Sequence, residues 1–293
     1  MTSTYDAAPT PEVGPAPGTL RYCIEIVDST DADDTLVDFD IPGTGPHTIQ
    51  LATCLTIGED GTTVDGFSQP GASPASSTED ALHKIILDGS SNDCGVLLSL
   101  RGSDAIVRGL VLENQSSASG PVAHGYAIEV GNATAGTVIQ GNRFEANAGG
   151  IEIGAGSAAD HVTVGGTTAA SRNVITGCST LSGIEIGPGE GNVIAGNHVV
   201  GNDHVGISVT DPELYGGRDH RQPRERERRR GDTSDVARIN DPVERRRLGR
   251  GWCHAGGERR HGHSRRRGRI RADRGHRDWR CLQRRWKPHR QQR

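Results

Sequence analysis

Aromatic residues are nearly missing from this chain, with 3 Phe, 4 Tyr and 3 Trp among 293 residues. Aromatic side chains therefore cannot build its core, and small and branched aliphatic residues must fill the interior. Lysine is as scarce, with Lys84 alone in residues 1–217. That stretch holds 6 Lys+Arg against 27 Asp+Glu, a net charge of −21, which argues against nucleic acid as its partner. Met1 to Thr10 has neither a basic start nor an apolar stretch, so no signal peptide is visible. No apolar run is long enough to cross a membrane, and none is expected to. Cys23, Cys54, Cys94 and Cys178 form no Cys-x-x-Cys pair and have no metal spacing. They read as small buried residues, with a Cys23–Cys54 bridge left open.

What is present is Gly, Asn, Thr, Ser, Val and Ile, the composition of many short strands joined by tight turns. Residues 1–19 carry Pro9, Pro11, Pro15 and Pro17 and read as an extended lead-in. Leu20, Cys23, Ile24 and Val27 then follow helical spacing, which predicts a short amphipathic helix over Leu20 to Val27. A strand through Cys23 to Val27 is the competing reading. A short helix across a solenoid end would cover an otherwise open core.

Gly-Ile-Glu-Ile-Gly occurs at 150–154 and again at 183–187. Ala127-Ile128-Glu129-Val130 lies 23 residues before the first copy, and Gly206-Ile207-Ser208-Val209 lies 23 after the second. The interval of 33 between the copies is one such unit plus a ten-residue insertion. Three short strands fit each unit, with no helical stretch between them, which excludes a doubly wound sheet. Three strands per turn, each pairing with its equivalent one turn on, is a right-handed parallel β-helix solenoid, an all-β fold, over residues 20–215. Alternation places Ile151 and Ile153 inside and Glu152 outside. Val138 to Asn142, Val174 to Cys178 and Val193 to Asn197 read as three versions of one strand-and-corner element. Gly and Asn tolerate the left-handed corner, and stacked Asn side chains can hydrogen-bond along the axis.

Several segments resemble the parallel β-helix repeat proteins of the pectin-lyase-like superfamily, particularly exported prokaryotic surface proteins. They are Gly18 to Ile24, Thr62 to Gly66 with Gln69-Pro70-Gly71, Gly165 to Ile175, and Gly191 to Asn197. The resemblance spans about 18–215 and implies the fold. It also implies an extracellular or cell-surface location for the parent protein. It leaves activity open, because that superfamily holds lyases, hydrolases, epimerases and non-catalytic surface proteins.

Residues 216–293 form an Arg-rich tail. From 218 onward it has 26 Arg and one Lys, a net charge of +17, and no apolar periodicity. A basic nucleic-acid arm is one reading. The other is a frameshift: Arg224 to Arg230 can be encoded so that reading one base later gives Gly-Asn-Gly-Asn-Gly-Val. Arg285 to Gln292 likewise gives Gly-Gly-Asn-His-Ile-Val-Asn. We favour the frameshift and expect the tail as written to be disordered. Cys253, His254, His261, His263 and Cys281 match no zinc spacing.

Enzymes of this resemblance use clustered carboxylates with a cation or a paired acid and base. Asn-Thr-Asp, Gly-His-Gly and Arg-Ile-Lys are all missing here, and we assign no catalytic residues and no metal ligand set. The ordered constellation is an outward ladder of Glu129, Glu152 and Glu185, taken as the candidate binding residues. No cofactor is expected unless the ladder takes Ca2+, against the plainer reading of a solvated face. Asp88, Asp93 and Asp104 are weaker candidates of the same kind. The expected protein is a monomeric, non-catalytic surface module, carbohydrate-binding or adhesive, whose partner is a polysaccharide or cell-surface component. The alternative is a lyase, hydrolase or epimerase acting on uronic-acid polymers.

Overall fold

The structure, a computed structural model, describes residues 1–6, 14–29, 35–116, 125–131, 134–210 and 237–239. It opens with helix α1 (Leu20–Val27), over the range the apolar spacing predicts. Thr19 caps it by accepting from the Tyr22 amide, and Leu20, Cys23, Ile24 and Val27 are buried beneath it. The described part of the lead-in packs against this cap. Asp6 forms a two-pronged ion pair with the buried Arg21, at 2.8 Å for each contact, and Met1 joins the core. Arg21 also donates to the Thr53 and Cys54 carbonyls at 2.9 and 3.1 Å, which satisfies a charge that would be costly to bury alone.

Six coils of three strands follow. The first is β1 (Leu36–Asp38), β2 (His47–Gln50) and β3 (Leu55–Ile57); the second is β4 (Thr63–Asp65), β5 (Ile85–Asp88) and β6 (Val96–Leu100). The third is β7 (Ile106–Arg108), β8 (Leu110–Glu113) and β9 (Tyr126–Gly131); the fourth is β10 (Val138–Gln140), β11 (Arg143–Glu145) and β12 (Gly149–Ala155). The fifth is β13 (Thr163–Gly165), β14 (Val174–Thr176) and β15 (Ile184–Ile186); the sixth is β16 (Asn192–Ala195), β17 (His198–Val200) and β18 (Ile207–Val209). Each strand pairs in parallel with the strand three places on, which builds three six-stranded parallel sheets and makes the fold a parallel β-helix. A last strand, β19 (Ala237–Ile239), lies antiparallel on β16 at the edge of the first sheet. It is the described part of the Arg-rich segment; the remaining residues of 216–293, with Cys253, His254, His261, His263 and Cys281, lie outside the described residues.

The core is a set of aliphatic stacks. In the third sheet Leu55, Leu98, Ile128, Ile151, Ile184 and Ile207 stand in register, one per coil. The 23-residue spacing on both sides of the 33-residue one is therefore structural register. The earlier coils are longer than that unit: 30 residues separate Leu98 from Ile128, and 43 separate Leu55 from Leu98. The strand faces stay aligned because the extra residues sit in loops, such as 66–84 and 166–172, outside the ladders.

The corners explain the Gly-Asn steps. Asn173 is fully buried; its Nδ2 donates to the Ile139 carbonyl at 2.8 Å while its Oδ1 accepts from the Asn142 amide at 2.9 Å. Asn142 and Asn197 repeat this on the coils either side, bonding the Val107 and Val164 carbonyls at 2.9 Å. The stacked Asn side chains thus tie coil to coil. One grouping is corrected: Val174 to Cys178 is not a version of Val138 to Asn142. Val174 lies on β14 in the second sheet, whereas Val138 and Val193 lie on β10 and β16 in the first. The partner of Asn142 is Asn173, displaced from its Gly165 corner by the 166–172 loop. The cysteines also pair differently from the open Cys23–Cys54 reading. Cys54 is joined to Cys94, while Cys23 and Cys178 are buried and lie outside that bridge.

Candidate carboxylate face on the third sheet

Alternation along β9, β12 and β15 turns Ile128, Ile151 and Ile184 inward and Glu129, Glu152 and Glu185 outward. The structure brings all three carboxylates together: Glu152 stands in register with Glu129 on one side and Glu185 on the other. Neighbouring strands are about 4.8 Å apart, so like charges face each other directly. The row runs on through Ser99 beside Glu129 and Ser208 beside Glu185.

Two side chains relieve that repulsion. Arg101, the next outward position after Ser99, forms an ion pair with Glu129 and donates from Nε to Ser99 Oγ at 2.8 Å. Gly131 makes room for it, since a Cβ there would come within 2.7 Å of Arg101 Nη1. At the other end the Tyr126 hydroxyl donates to Glu185, two coils further on. Its ring crosses Gly149 to get there, and a Cβ at Gly149 would meet the ring at 2.6 Å. Both glycines are part of the face because they lack a side chain.

Glu152 is left between the two engaged carboxylates, with no hydrogen-bond or salt-bridge partner among the described residues. Burial pushes its carboxyl up to about 7, with Glu129 and then Glu185 adding to the rise and Arg101 opposing it. Burial and the bond to Glu185 likewise raise the Tyr126 hydroxyl well above its ordinary range, so it stays a donor. The face therefore holds one carboxyl that exchanges its proton near neutrality, between two that Arg101 and Tyr126 engage.

A second acidic row was not predicted. On the second sheet Asp88, Glu113 and Glu145 stand in register on the outer face. Burial, then Asp88 and Glu145, raises Glu113, while Arg143 pairs with Glu145. Asp88, one of the weaker candidates and read from the sequence as a loop residue, lies on β5. The intervals of 25 and 32 residues carry no repeated motif, so register alone reveals the row. Asp104 occupies a left-handed corner with φ 56°, and Asp93 lies exposed in a turn; neither joins these rows.

Comparison with protein-family models, with curated proteins and with solved structures found no match. Chemistry must then be argued from the face itself. Among the described residues no group of three or more His, Cys, Asp or Glu is arranged to hold a metal ion. No helix among them is long and apolar enough to cross a membrane. Arg21, Arg101, Arg108 and Arg143 are each engaged with a carboxylate. A lyase needs a free cation or base beside its carboxylates, and among the described residues the cation on this face, Arg101, is already paired with Glu129.

Proposed function

We propose that the protein is a non-catalytic, exported or cell-surface module of the pectin-lyase-like β-helix type. Its outer third-sheet face binds a carbohydrate polymer or a similar hydroxyl-rich surface component. The observation that carries this reading is the pre-engaged row Arg101–Glu129, Glu152, Glu185–Tyr126. Donors and acceptors are fixed at strand spacing along a straight axis, which suits a linear ligand and costs little ordering on binding. The Cys54–Cys94 bridge fits an oxidising compartment. The acidity of residues 1–217 suits contact through hydroxyls more than through phosphates.

The rival reading, an enzyme acting on uronic-acid polymers, has one observation in its favour. A carboxyl near 7 is poised for general acid catalysis. The full chain incubated with a panel of neutral and uronic-acid polysaccharides separates the two. Binding without new chain ends supports the module. Chain cleavage that is lost in Glu152→Gln would establish the enzyme instead.

A further inference from the structure

The solenoid is covered by a helix at one end and, among the described residues, ends on an uncovered strand at the other. At the amino-terminal end α1 covers the first coil. At the far end Ile207 and Val209 continue the inward rows, in register with Ile184 and Ile186. Yet they are 36% and 50% exposed, where Ile184 and Ile186 are fully buried. β18 is the terminal strand of its sheet. Stacked repeats need a cap or another repeat at such a surface, because each coil buries its interior only against a neighbour.

We propose that this end is a stacking surface for further coils of the same solenoid, encoded one base later in the codons now read as residues 218–293. An Arg codon CGG read one base later is GGN, which is Gly whatever base follows. Glu, Gln and Lys codons ending in A and followed by C become AAC, which is Asn. A run of Arg with Glu and Gln is thus the displaced image of a run of Gly with Asn. Those are the residues this fold uses at its corners. Gly141-Asn142, Gly196-Asn197 and Gly201-Asn202 place the glycine at φ of 64°, 62° and 62°, and the following Asn binds a carbonyl one coil back. Gly-Asn-Gly-Asn-Gly-Val from Arg224 to Arg230, and Gly-Gly-Asn-His-Ile-Val-Asn from Arg285 to Gln292, fall in one and the same displaced frame. The second restores the pattern of Gly196-Asn197-His198-Val199-Val200. At the observed spacings of 23 to 33 residues, this length of chain supplies about two to three coils. The antiparallel strand β19 shows that the edge of β16 accepts a strand. An in-frame coil would place a parallel one there, as between the successive coils of the three sheets.

The experiment compares two full-length proteins, the chain as written and the chain expressed after deleting one base just before codon 218, each with and without Ile207→Asp. Stacked coils predict that the restored chain melts higher, by roughly 5 °C or more. Ile207→Asp should remove most of that gain, while changing the written chain by less than about 2 °C. A stop codon early in the displaced frame overturns the proposal, as does a restored chain that is insoluble. Equal melting with equal sensitivity to Ile207→Asp in both chains also overturns it. A concentration-dependent dimer of the written chain that Ile207→Asp abolishes, with no gain in the restored chain, would make a second copy the occupant and likewise refute it.

Discussion

Glu152 is the residue on which electrostatics and function meet. Its carboxyl is pushed up to about 7 in the folded protein, above its ordinary value, so folding favours the protonated form. The sign follows from linkage. Below the ordinary carboxyl range both states are protonated and nothing is lost; as pH rises from that range to about 7 the unfolded state gives up its proton first, so stability falls, and above about 7 the loss is complete and constant. Glu152→Gln should therefore match the parent near pH 4 and exceed it at pH 8 by about 1–2 kcal/mol, after discounting for its partial exposure. Denaturant melts at the two pH values check this. The same variant tests calcium. Because Arg101 and Tyr126 already occupy Glu129 and Glu185, we expect the parent's melting temperature to be indifferent to Ca2+ and to chelator. A rise with Ca2+ that Glu152→Gln abolishes would restore the metal reading. The Asn ladder makes a second residue-scale prediction. Asn173→Ala leaves the Asn142 amide and the Ile139 carbonyl buried without their partner, and should cost about 2–4 kcal/mol in equilibrium unfolding.

At the scale of elements, strands that carry a run of aliphatic residues, alternating or adjacent, were mostly legible in the sequence, and a strand built on one aromatic between charges was not. Ile151-Glu152-Ile153 and Ile184-Glu185-Ile186 announce themselves by alternation. Arg143-Phe144-Glu145 does not, because a single buried Phe144 between two charged residues looks like a turn. It is a strand because β8 and β14 flank it on both sides. β3 was missed although Leu55 and Ile57 both face inward, because three residues directly after Cys54 are too short a run to stand out and the Cys54–Cys94 bridge gives no signal in spacing. The helix α1 was legible because four apolar residues at helical spacing have no strand-like alternative that buries them all. Register across insertions was legible only where a motif repeats, as at Glu152 and Glu185, so Asn173 was not matched to Asn142, nor Glu113 and Glu145 to Asp88. The Tyr126–Glu185 contact depends on the empty space over Gly149, which no motif records. Core stacking is tested at Ile184, fully buried between Ile151 and Ile207. Ile184→Ala should cost about 2–5 kcal/mol, read from chemical denaturation, because the packed coils cannot collapse onto the cavity.

The described part of the molecule is a stack of coils with an acidic row on each of two outer faces, and we propose a function for one of them. The fold and the Glu129, Glu152 and Glu185 ladder followed from one repeat spacing, whereas the contacts of Arg101 and Tyr126 with the ends of that ladder appear only in three-dimensional register. Strand-dominated circular dichroism and a monomer by light scattering are expected of the full chain. The most direct test replaces the middle residue of each acidic row and measures polysaccharide binding. Glu152→Lys sets a cation between Glu129 and Glu185, so the fold should be kept while the third-sheet face is rewritten; Glu113→Lys does the same on the second sheet. For whichever polysaccharide the parent binds, we expect Glu152→Lys to change affinity tenfold or more, a shift of about 1.4 kcal/mol, and Glu113→Lys to leave it within about twofold. Unchanged affinity in Glu152→Lys, with the protein folded by its melting curve, would contradict the assignment of this face.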